Sequence, residues 1–464
     1  MDQKQARQNK MATMPMTKLV LNMSIPPMFS MIIMSLYNVV DSIFVAKLSE
    51  GALTAVSLVY PVQSLIIAFG AGTAVGINSY MSRQLGQGNV DKAKRTAAQG
   101  LVLSMLTGIL FAVVCVPCAK LFMGMFTKDA AIIKLGVQYM QVVTMFAAFK
   151  IVQQSACRIM QSTGDMITPM ICQLIGAVTN LILDPIMIFG LFGCPRMEVV
   201  GAALATIIGQ GLGLVYILLK VTSAKFEYRV KLSEGLKFDK ATVKGIYAVS
   251  LPSIVTQSIG SFMTAGINGI LASFSDTAVA VMGVFSKLQN FVFMPVFGLG
   301  QGCLPIMAFN YGAKNKTRLK DGFNTYMRIS LIITAIGTAM FMLVPGLLMD
   351  LFSASADMKA LGVTALRILG ISLMPAAMGI NISTTFQAMG RGFISMVISV
   401  CRQIGLLLPL AFVLSMISLT AVWFALPVAE IVVAVIGLPI LLKAFSLTFQ
   451  TWVAEDPEKF ATEE

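Results

Sequence analysis

The sequence predicts an all-α integral membrane protein with twelve transmembrane helices, arranged as two parallel six-helix lobes around a central cavity. Composition, recurrent apolar segments and an internal repeat support this prediction. The 464 residues are 57% apolar and only 12% charged, whereas soluble domains are about 25% charged, and the mean hydropathy is +0.82. We therefore expect the chain to lie within the lipid bilayer.

Apolar segments of about twenty residues recur along the whole chain, and each is long enough to cross a hydrocarbon core of about 30 Å. Strand-like alternation is absent, so helices are expected to satisfy the backbone hydrogen bonds. The expected spans lie roughly at 18–46, 52–81, 95–118, 132–157, 167–191, 200–220, 244–272, 278–308, 323–348, 358–388, 394–416 and 421–444.

The chain also matches itself when it is shifted by 226 residues. The aligned pairs include Pro26 with Pro252, Gln63 with Gln289, Gly72 with Gly298, and Gly86 with Gly312. Because each copy would hold an even number of spans, both copies should have the same orientation, as in transporters whose lobes rock about a central site. We expect an N-lobe at 1–222, a cytoplasmic linker at 223–243, a C-lobe at 244–445 and a cytoplasmic tail at 446–464.

The net charge of +13 would suit a nucleic-acid partner, but its distribution indicates a membrane protein instead. Most lysines and arginines fall in alternate loops, for example around 83–95 and 314–320. This bias predicts a multi-pass protein of the cell membrane (inner or plasma), with both termini in the cytoplasm. The chain has no histidine and no P-loop motif, so we expect a monomeric transporter without ATP, cofactor or bound metal other than possible Na⁺.

Only three of the 21 acidic residues fall within the expected spans, namely Asp41, Asp184 and Glu430. A charge at mid-bilayer costs about 2.5–3.5 kcal/mol, so these acids are candidates for function. Asp41, Asp184 and Thr206 all lie about five to seven residues from the outer ends of their spans, at similar depth. Lys150 lies nearer the cytoplasmic end of its span and could extend to the membrane surface.

Polar side chains accompany both N-lobe acids. Asn180 precedes Asp184 by four residues and Tyr37 precedes Asp41 by four, so each pair shares a helix face. Pro185 cannot donate a backbone hydrogen bond and would free one carbonyl of the preceding turn. These oxygen ligands suit Na⁺ or a proton. In the alternative interpretation, the acid at 184 caps a kink and the asparagine only links helices.

The sequence leaves open the role of Glu430 and the effect of a proline pair in the first span. Glu430 could contact a substrate in the central cavity, or it could form a structural ion pair with Lys287 or Arg402, which also lie within spans. Pro26 and Pro27 interrupt the hydrogen-bond ladder of the first span, which predicts either a hinge or a static kink.

Four segments resemble signatures of the multidrug and toxic compound extrusion (MATE) family. They are MSLYNVVDSIFVAKLSEGALTAVSLVYP, SRQLGQGNVDKAKR, NLILDPIMIFG and VVGAALATIIGQ. The resemblance covers essentially the whole chain and implies a twelve-helix antiporter that exchanges cytoplasmic organic cations, often drugs, for external H⁺ or Na⁺. It also implies an N-lobe cation site at Asp41, Asn180, Asp184 and Thr206, supported by Tyr37 and Pro26.

The sequence departs from one branch of that family, which has a glutamate on the seventh span. The corresponding segment here reads PSIVTQSIG, with Gln257 near the expected place, where it could contact a substrate, and the tenth span has no acid. The DinF-like and Gram-positive drug-pump branches are therefore more similar. Two alternatives are a flippase for a lipid-linked cell-envelope precursor and a non-transport membrane scaffold. Flippases tend to have a strongly cationic cavity, whereas the basic residues here cluster in loops.

Overall fold

The computed structural model describes residues 10–46, 50–224, 226, 228–352 and 354–455, without the side chains of residues 37–46, 50, 53 and 232. Helices dominate these residues and no strand is found among them. The first half contains α1 (Met16–Ala46), α2 (Glu50–Gly86), α3 (Val90–Phe126), α4 (Ala130–Met145), α5 (Ala147–Ser162), α6 (Ile167–Phe189), α7 (Glu198–Thr222) and the short α8 (Leu232–Gly235).

The second half begins with α9 (Lys240–Ala272), α10 (Asp276–Gly312), α11 (Lys316–Leu343), α12 (Pro345–Asp350), α13 (Ala356–Gly370) and α14 (Leu373–Ala388). It continues with α15 (Gly392–Val400), a π-helical turn (Cys401–Leu407), α16 (Leu408–Ser415), α17 (Leu419–Trp423) and α18 (Ala425–Glu455).

Nine segments of the described chain are helical, long and apolar enough to cross a membrane, and two bent helix pairs raise this number to eleven. The remaining expected span, 244–272, is the continuous 33-residue helix α9, whose serine and threonine residues make it less apolar. The prediction of an all-α membrane protein is confirmed.

Two expected spans are broken helices. Helices α4 and α5 meet at 41°, and α13 and α14 meet at 43°. In the second pair, Pro375 removes the helical hydrogen bond to the carbonyl of Ile371, which favours a bend at that turn. Nothing in the local sequence explains the first break, at Phe146.

Among the described residues, the apolar core that the two halves share lies at one end of the bundle. We call this the basic end, because the connections at 87–89 and 313–315, with their flanking lysines and arginines, lie there. The shared core combines Met23 and Met81 from the first half with Leu299 and Phe386 from the second. Toward the opposite end, each half packs around a core of its own. Among the described residues, the buried core that the halves share therefore lies at the basic end, and the separate cores lie toward the other end.

Glycines allow the close approach at the basic end. A Cβ atom added at Gly76 on α2 would lie 2.5 Å from the carbonyl oxygen of Ile246 on α9. One added at Gly298 on α10 would lie 2.6 Å from the backbone nitrogen of Met28 on α1. Real Cβ atoms do not approach backbone so closely, so larger residues at these positions would push the halves apart.

Candidate functional site

Helices α6 and α7 pack closely because α7 has a small residue at every fourth position. These residues are Gly201, Ala205, Gly209 and Gly213. A Cβ atom added at Gly209 would lie 2.7 Å from the carbonyl oxygen of Gly176 on α6. Such stripes of small residues let membrane helices approach to backbone contact. The approach brings Thr206 of α7 within hydrogen-bond distance of Asn180 on α6.

Asn180 connects a buried carboxylate to α7. Asp184 is 1% exposed and Asn180 is 2% exposed. The Asn180 amide nitrogen donates to both oxygens of Asp184, and its oxygen accepts from Thr206 N at 3.0 Å and from Thr206 Oγ1 at 2.9 Å. We assign this amide orientation because it satisfies every partner, whereas the opposite one does not. The structure thus brings together three of the four residues predicted for the cation site.

Asp41 and Tyr37 lie on α1, which packs against α6. Their side chains lie outside the described residues, so their part in the site stays a prediction. Pro185 lies within α6, which continues as one helix to Phe189 and ends at the left-handed Gly190.

Pro26 and Pro27 lie where α1 contacts the other half of the chain, and α1 continues through both prolines. The ring of Pro27 prevents a helical hydrogen bond to the carbonyl of Met23. That carbonyl faces α10, where a Cβ atom added at Gly302 would lie 2.7 Å from its oxygen. Ser30 Oγ donates to the carbonyl of Pro26 at 3.1 Å. A change in the bend of α1 would therefore alter the contact between the halves.

A partly open pocket of about 70 Å³ lies beside Asn180, between α1, α5, α6 and α7. Its polar lining consists of Ser30, Lys150, Gln153, Gln173, Asn180, Thr206 and Gln210. The prediction that Lys150 extends to the membrane surface is wrong, because its side chain lines this pocket. A sequence signal was present: Gln153 follows Lys150 by three residues and so lies on the same helix face.

In the second half, Glu430 on α18 forms an ion pair with Arg402. Arg402 Nη1 lies 2.9 Å from Oε1 and 3.0 Å from Oε2, and the Glu430 side chain is 8% exposed. Arg402 projects from the π-helical turn. Lys287, the other predicted partner, instead has its ammonium 5.8 Å from the centre of the Phe352 ring.

Gln257 lies on α9. In the described part of the chain, its side chain makes no hydrogen bond to Arg402 or Glu430. Its Nε2 donates to the carbonyl of Ser253, one turn earlier, at 3.4 Å, and its side chain is exposed. A contact between Gln257 and a substrate stays a prediction.

The chain is similar to known transporters over most of its length. The MatE family model matches residues 26–186 and 252–413. The two matches begin 226 residues apart, which is also the offset of the internal repeat. The multidrug export protein MepA of Staphylococcus haemolyticus is 26% identical over 431 residues, covering 91% of this chain and 92% of that protein. A protein of Shewanella oneidensis named FAD transporter is 26% identical over 427 residues, covering 91% and 93%.

Among solved structures, the outward-facing conformation of a multidrug resistance MATE family transporter of the MOP superfamily superposes with a TM-score of 0.88. It is 26% identical, and the match covers 94% of this chain and 97% of that one. The family resemblance predicted from the sequence is confirmed. Because the family model matches well over half of the residues, in two copies, the chain belongs to the MatE family and is a MATE transporter, not an enzyme.

Proposed function

We propose that this transporter is a secondary antiporter that exports amphiphilic organic cations in exchange for H⁺ or Na⁺. The coupling ion binds in the N-lobe at Asp41, Asn180, Asp184 and Thr206. One observation carries the proposal: Asp184 is a carboxylate with 1% exposure inside a membrane-spanning helix, and it is bonded through Asn180 to a second helix. The multidrug export relative supports organic substrates.

The network has the chemistry that an ion-coupled site needs. The Asn180 nitrogen donates to the Asp184 oxygens, an arrangement suited to an ionised acid that awaits its cation. A proton would bind directly to the carboxylate, whereas Na⁺ requires several oxygen ligands, for which the Asn180 amide would turn its oxygen toward the ion. Either event changes the hydrogen bonds between α6 and α7. Each charge that moves inward through 100 mV gains about 2.3 kcal/mol. This gain offsets the electrical cost of one exported cationic charge, so the concentration gradient of the coupling ion drives a one-for-one exchange.

The proposed orientation places the basic end in the cytoplasm, because basic loops are retained there. Both termini are then cytoplasmic, in a cell membrane. With that orientation, a core shared at the cytoplasmic end and separate cores toward the outer end suit an outward-facing state. We take residues 1–222 and 244–445 as the moving lobes, joined by the linker 223–243, with a cytoplasmic tail at 446–464, and the monomer as the working unit.

Reconstituted transport tests this proposal. Purified protein in liposomes is supplied with a fluorescent organic cation, while a pH gradient and a Na⁺ gradient are imposed in separate experiments. We expect one gradient or both to drive uptake, and Asp184→Asn or Asp41→Asn to abolish it. Asp357→Asn, which neutralises an exposed acid on α13, is the matched control. Wild-type transport by both N-lobe variants would contradict the assigned ion site.

A further inference from the structure

A shallow groove lies on the surface of the basic end, where the linker meets the start of α9. Its volume is about 350 Å³, and its lining residues are Phe238, Lys240, Val243, Lys244 and Tyr247. No acid is among these five residues, so the groove combines two ammonium groups with three largely apolar side chains. Positive charge beside apolar and aromatic surface is the combination found where protein segments contact the headgroup region of a membrane.

The linker backbone beside the groove is held against α3. Gln99 Nε2 donates to the carbonyl of Lys237 at 2.6 Å. A Cβ atom added at Gly235 would lie 2.7 Å from the carbonyl oxygen of Ala98, so the linker runs directly against the backbone of α3. These contacts fix the chain just before Phe238, and the groove is therefore formed without a ligand.

The side of α9 that forms the groove continues toward the membrane interior as an apolar face. Lys244, Leu251 and Val255 are all exposed, and spacings of seven and four residues place them on one helix face. Ile246 and Ile254, on the other side of the helix, contact glycines of α2. Because the two halves are packed together at this level, an exposed apolar face there borders the lipid. Lys244, the first residue of the expected span, thus lies where acyl chains give way to headgroups.

The two lysines of the groove form no ion pair within the described part of the chain. They lie one turn apart on α9, where like charges repel each other. The nearest acid in the sequence, Asp239, is already engaged, because its carboxylate accepts from the backbone nitrogens of Ala241 and Thr242 and from Thr242 Oγ1 at 2.7 Å. An anion between the two ammonium groups would relieve their repulsion.

We propose that this groove binds the phosphate headgroup of an anionic phospholipid. Lys240 and Lys244 hold the phosphate, while an acyl chain lies along the exposed face at Leu251 and Val255. The aromatic residues of the groove flank the headgroup, at the level where aromatic side chains are enriched in membrane proteins. The bound lipid holds the start of α9, and with it the linker between the two halves, at the membrane surface. The site is independent of the ion that drives transport.

Native mass spectrometry of the full-length protein in detergent tests the proposal. The protein is titrated with phosphatidylglycerol, which is anionic, and with phosphatidylcholine of the same acyl chains, which is zwitterionic. We expect Lys240→Gln combined with Lys244→Gln to weaken the first binding of phosphatidylglycerol about 25-fold, since each lysine beside an anionic lipid surface contributes about fivefold. Binding of phosphatidylcholine should hardly change.

Lys316 and Lys320 provide the matched control. They occupy the first and fifth positions of α11, as Lys240 and Lys244 do in α9, and they lie at the basic end but outside the groove. Lys316→Gln combined with Lys320→Gln removes the same charge and should leave the affinity for phosphatidylglycerol almost unchanged. Lys240→Arg combined with Lys244→Arg keeps both charges and should bind this lipid as the wild type does.

Three results would overturn the lipid site. An equal loss in the control pair would show that phosphatidylglycerol responds only to overall charge, and full binding without the lysines of the groove would show that they hold no headgroup. The third result concerns free phosphate. Phe238→Ser removes an apolar wall and should weaken binding of a lipid. If this variant bound phosphatidylglycerol normally and excess inorganic phosphate displaced the lipid from the wild type, the groove would bind free phosphate instead.

Discussion

The guanidinium of Arg83 lies against Gly390, so the end of α2 in the first half touches the turn between α14 and α15 in the second. Gly390 has a φ angle of 78°, and a Cβ atom added there would overlap the guanidinium. Arg83 Nε donates to the carbonyl of Ser79 at 3.2 Å, and Ser79 Oγ donates to the carbonyl of Gln387. The basic end is thus closed by a contact for which Gly390 leaves room.

We predict that Gly390→Ala weakens this closure. The matched control is Gly88→Ala, because Gly88 has a similar φ angle of 74° but no atom of a neighbour within 4 Å of its Cβ position. The left-handed backbone should cost each variant about 1–2 kcal/mol. Gly390→Ala should lose more, since it also displaces Arg83. Thermal unfolding in detergent measures the difference, and equal losses would contradict the proposed role of the contact.

The packing of α6 on α7 gives a second prediction. Gly209→Ala places a methyl group 2.7 Å from the carbonyl oxygen of Gly176, so α7 must shift and carry Thr206 away from Asn180. We expect a loss of about 1–3 kcal/mol in unfolding free energy together with reduced transport. Gly269→Ala on α9, which meets open space, should be neutral or slightly stabilising. Full stability and transport in the Gly209 variant would contradict this account.

Asn180→Leu should distinguish the two coupling ions. The substitution keeps most of the side-chain volume but removes the amide that bridges Asp184 and Thr206. A Na⁺ ion loses an oxygen ligand, whereas a proton still finds the carboxylate. We therefore expect Na⁺-driven transport to fall by about tenfold or more, as removal of a charged hydrogen bond does, and H⁺-driven transport to fall less. Uptake under each gradient measures both, and an equal fall would contradict a ligand role for the amide.

The sequence predicted how deep the polar residues lie along their helices better than it predicted which residues they contact. Spacing from the helix ends placed Asp184 and Thr206 at one level, because helical rise is constant, and the structure joins them through Asn180. Depth alone does not determine which way a long side chain turns, so Lys150 was expected at the surface although it lines a pocket. Likewise, the choice of Arg402 as the partner of Glu430 depends on packing between helices.

The break between α4 and α5 also could not be predicted. It occurs at Phe146, without a proline or glycine to mark it. The break between α13 and α14 did carry a signal, because Pro375 follows Ile371 by four residues. The proline alone is not decisive, because α1 continues through Pro26 and Pro27 and α6 continues through Pro185.

The Arg402–Glu430 ion pair gives the last prediction, which decides between the two interpretations left open by the sequence. Glu430→Gln or Arg402→Gln leaves the remaining charge without its partner at a site where the acid is only 8% exposed. Breaking a buried pair typically costs about 3–5 kcal/mol, whereas apolar replacement of both partners is often neutral. We expect about 3 kcal/mol for each single variant, because Arg402 is 21% exposed and water can reach it.

If the pair is structural, Arg402→Met combined with Glu430→Leu should recover most of the stability and also transport. If Glu430 contacts the substrate cation, the double variant should regain its stability but not its transport. Thermal unfolding in detergent and rhodamine uptake in liposomes, measured on the same preparations, separate the two outcomes. We expect recovery of both, since both carboxylate oxygens already lie within 3.0 Å of Arg402 Nη1 and the acids proposed to exchange the coupling ion lie in the first half of the chain. Lasting loss of transport in a stable double variant would contradict this expectation and assign Glu430 to substrate binding.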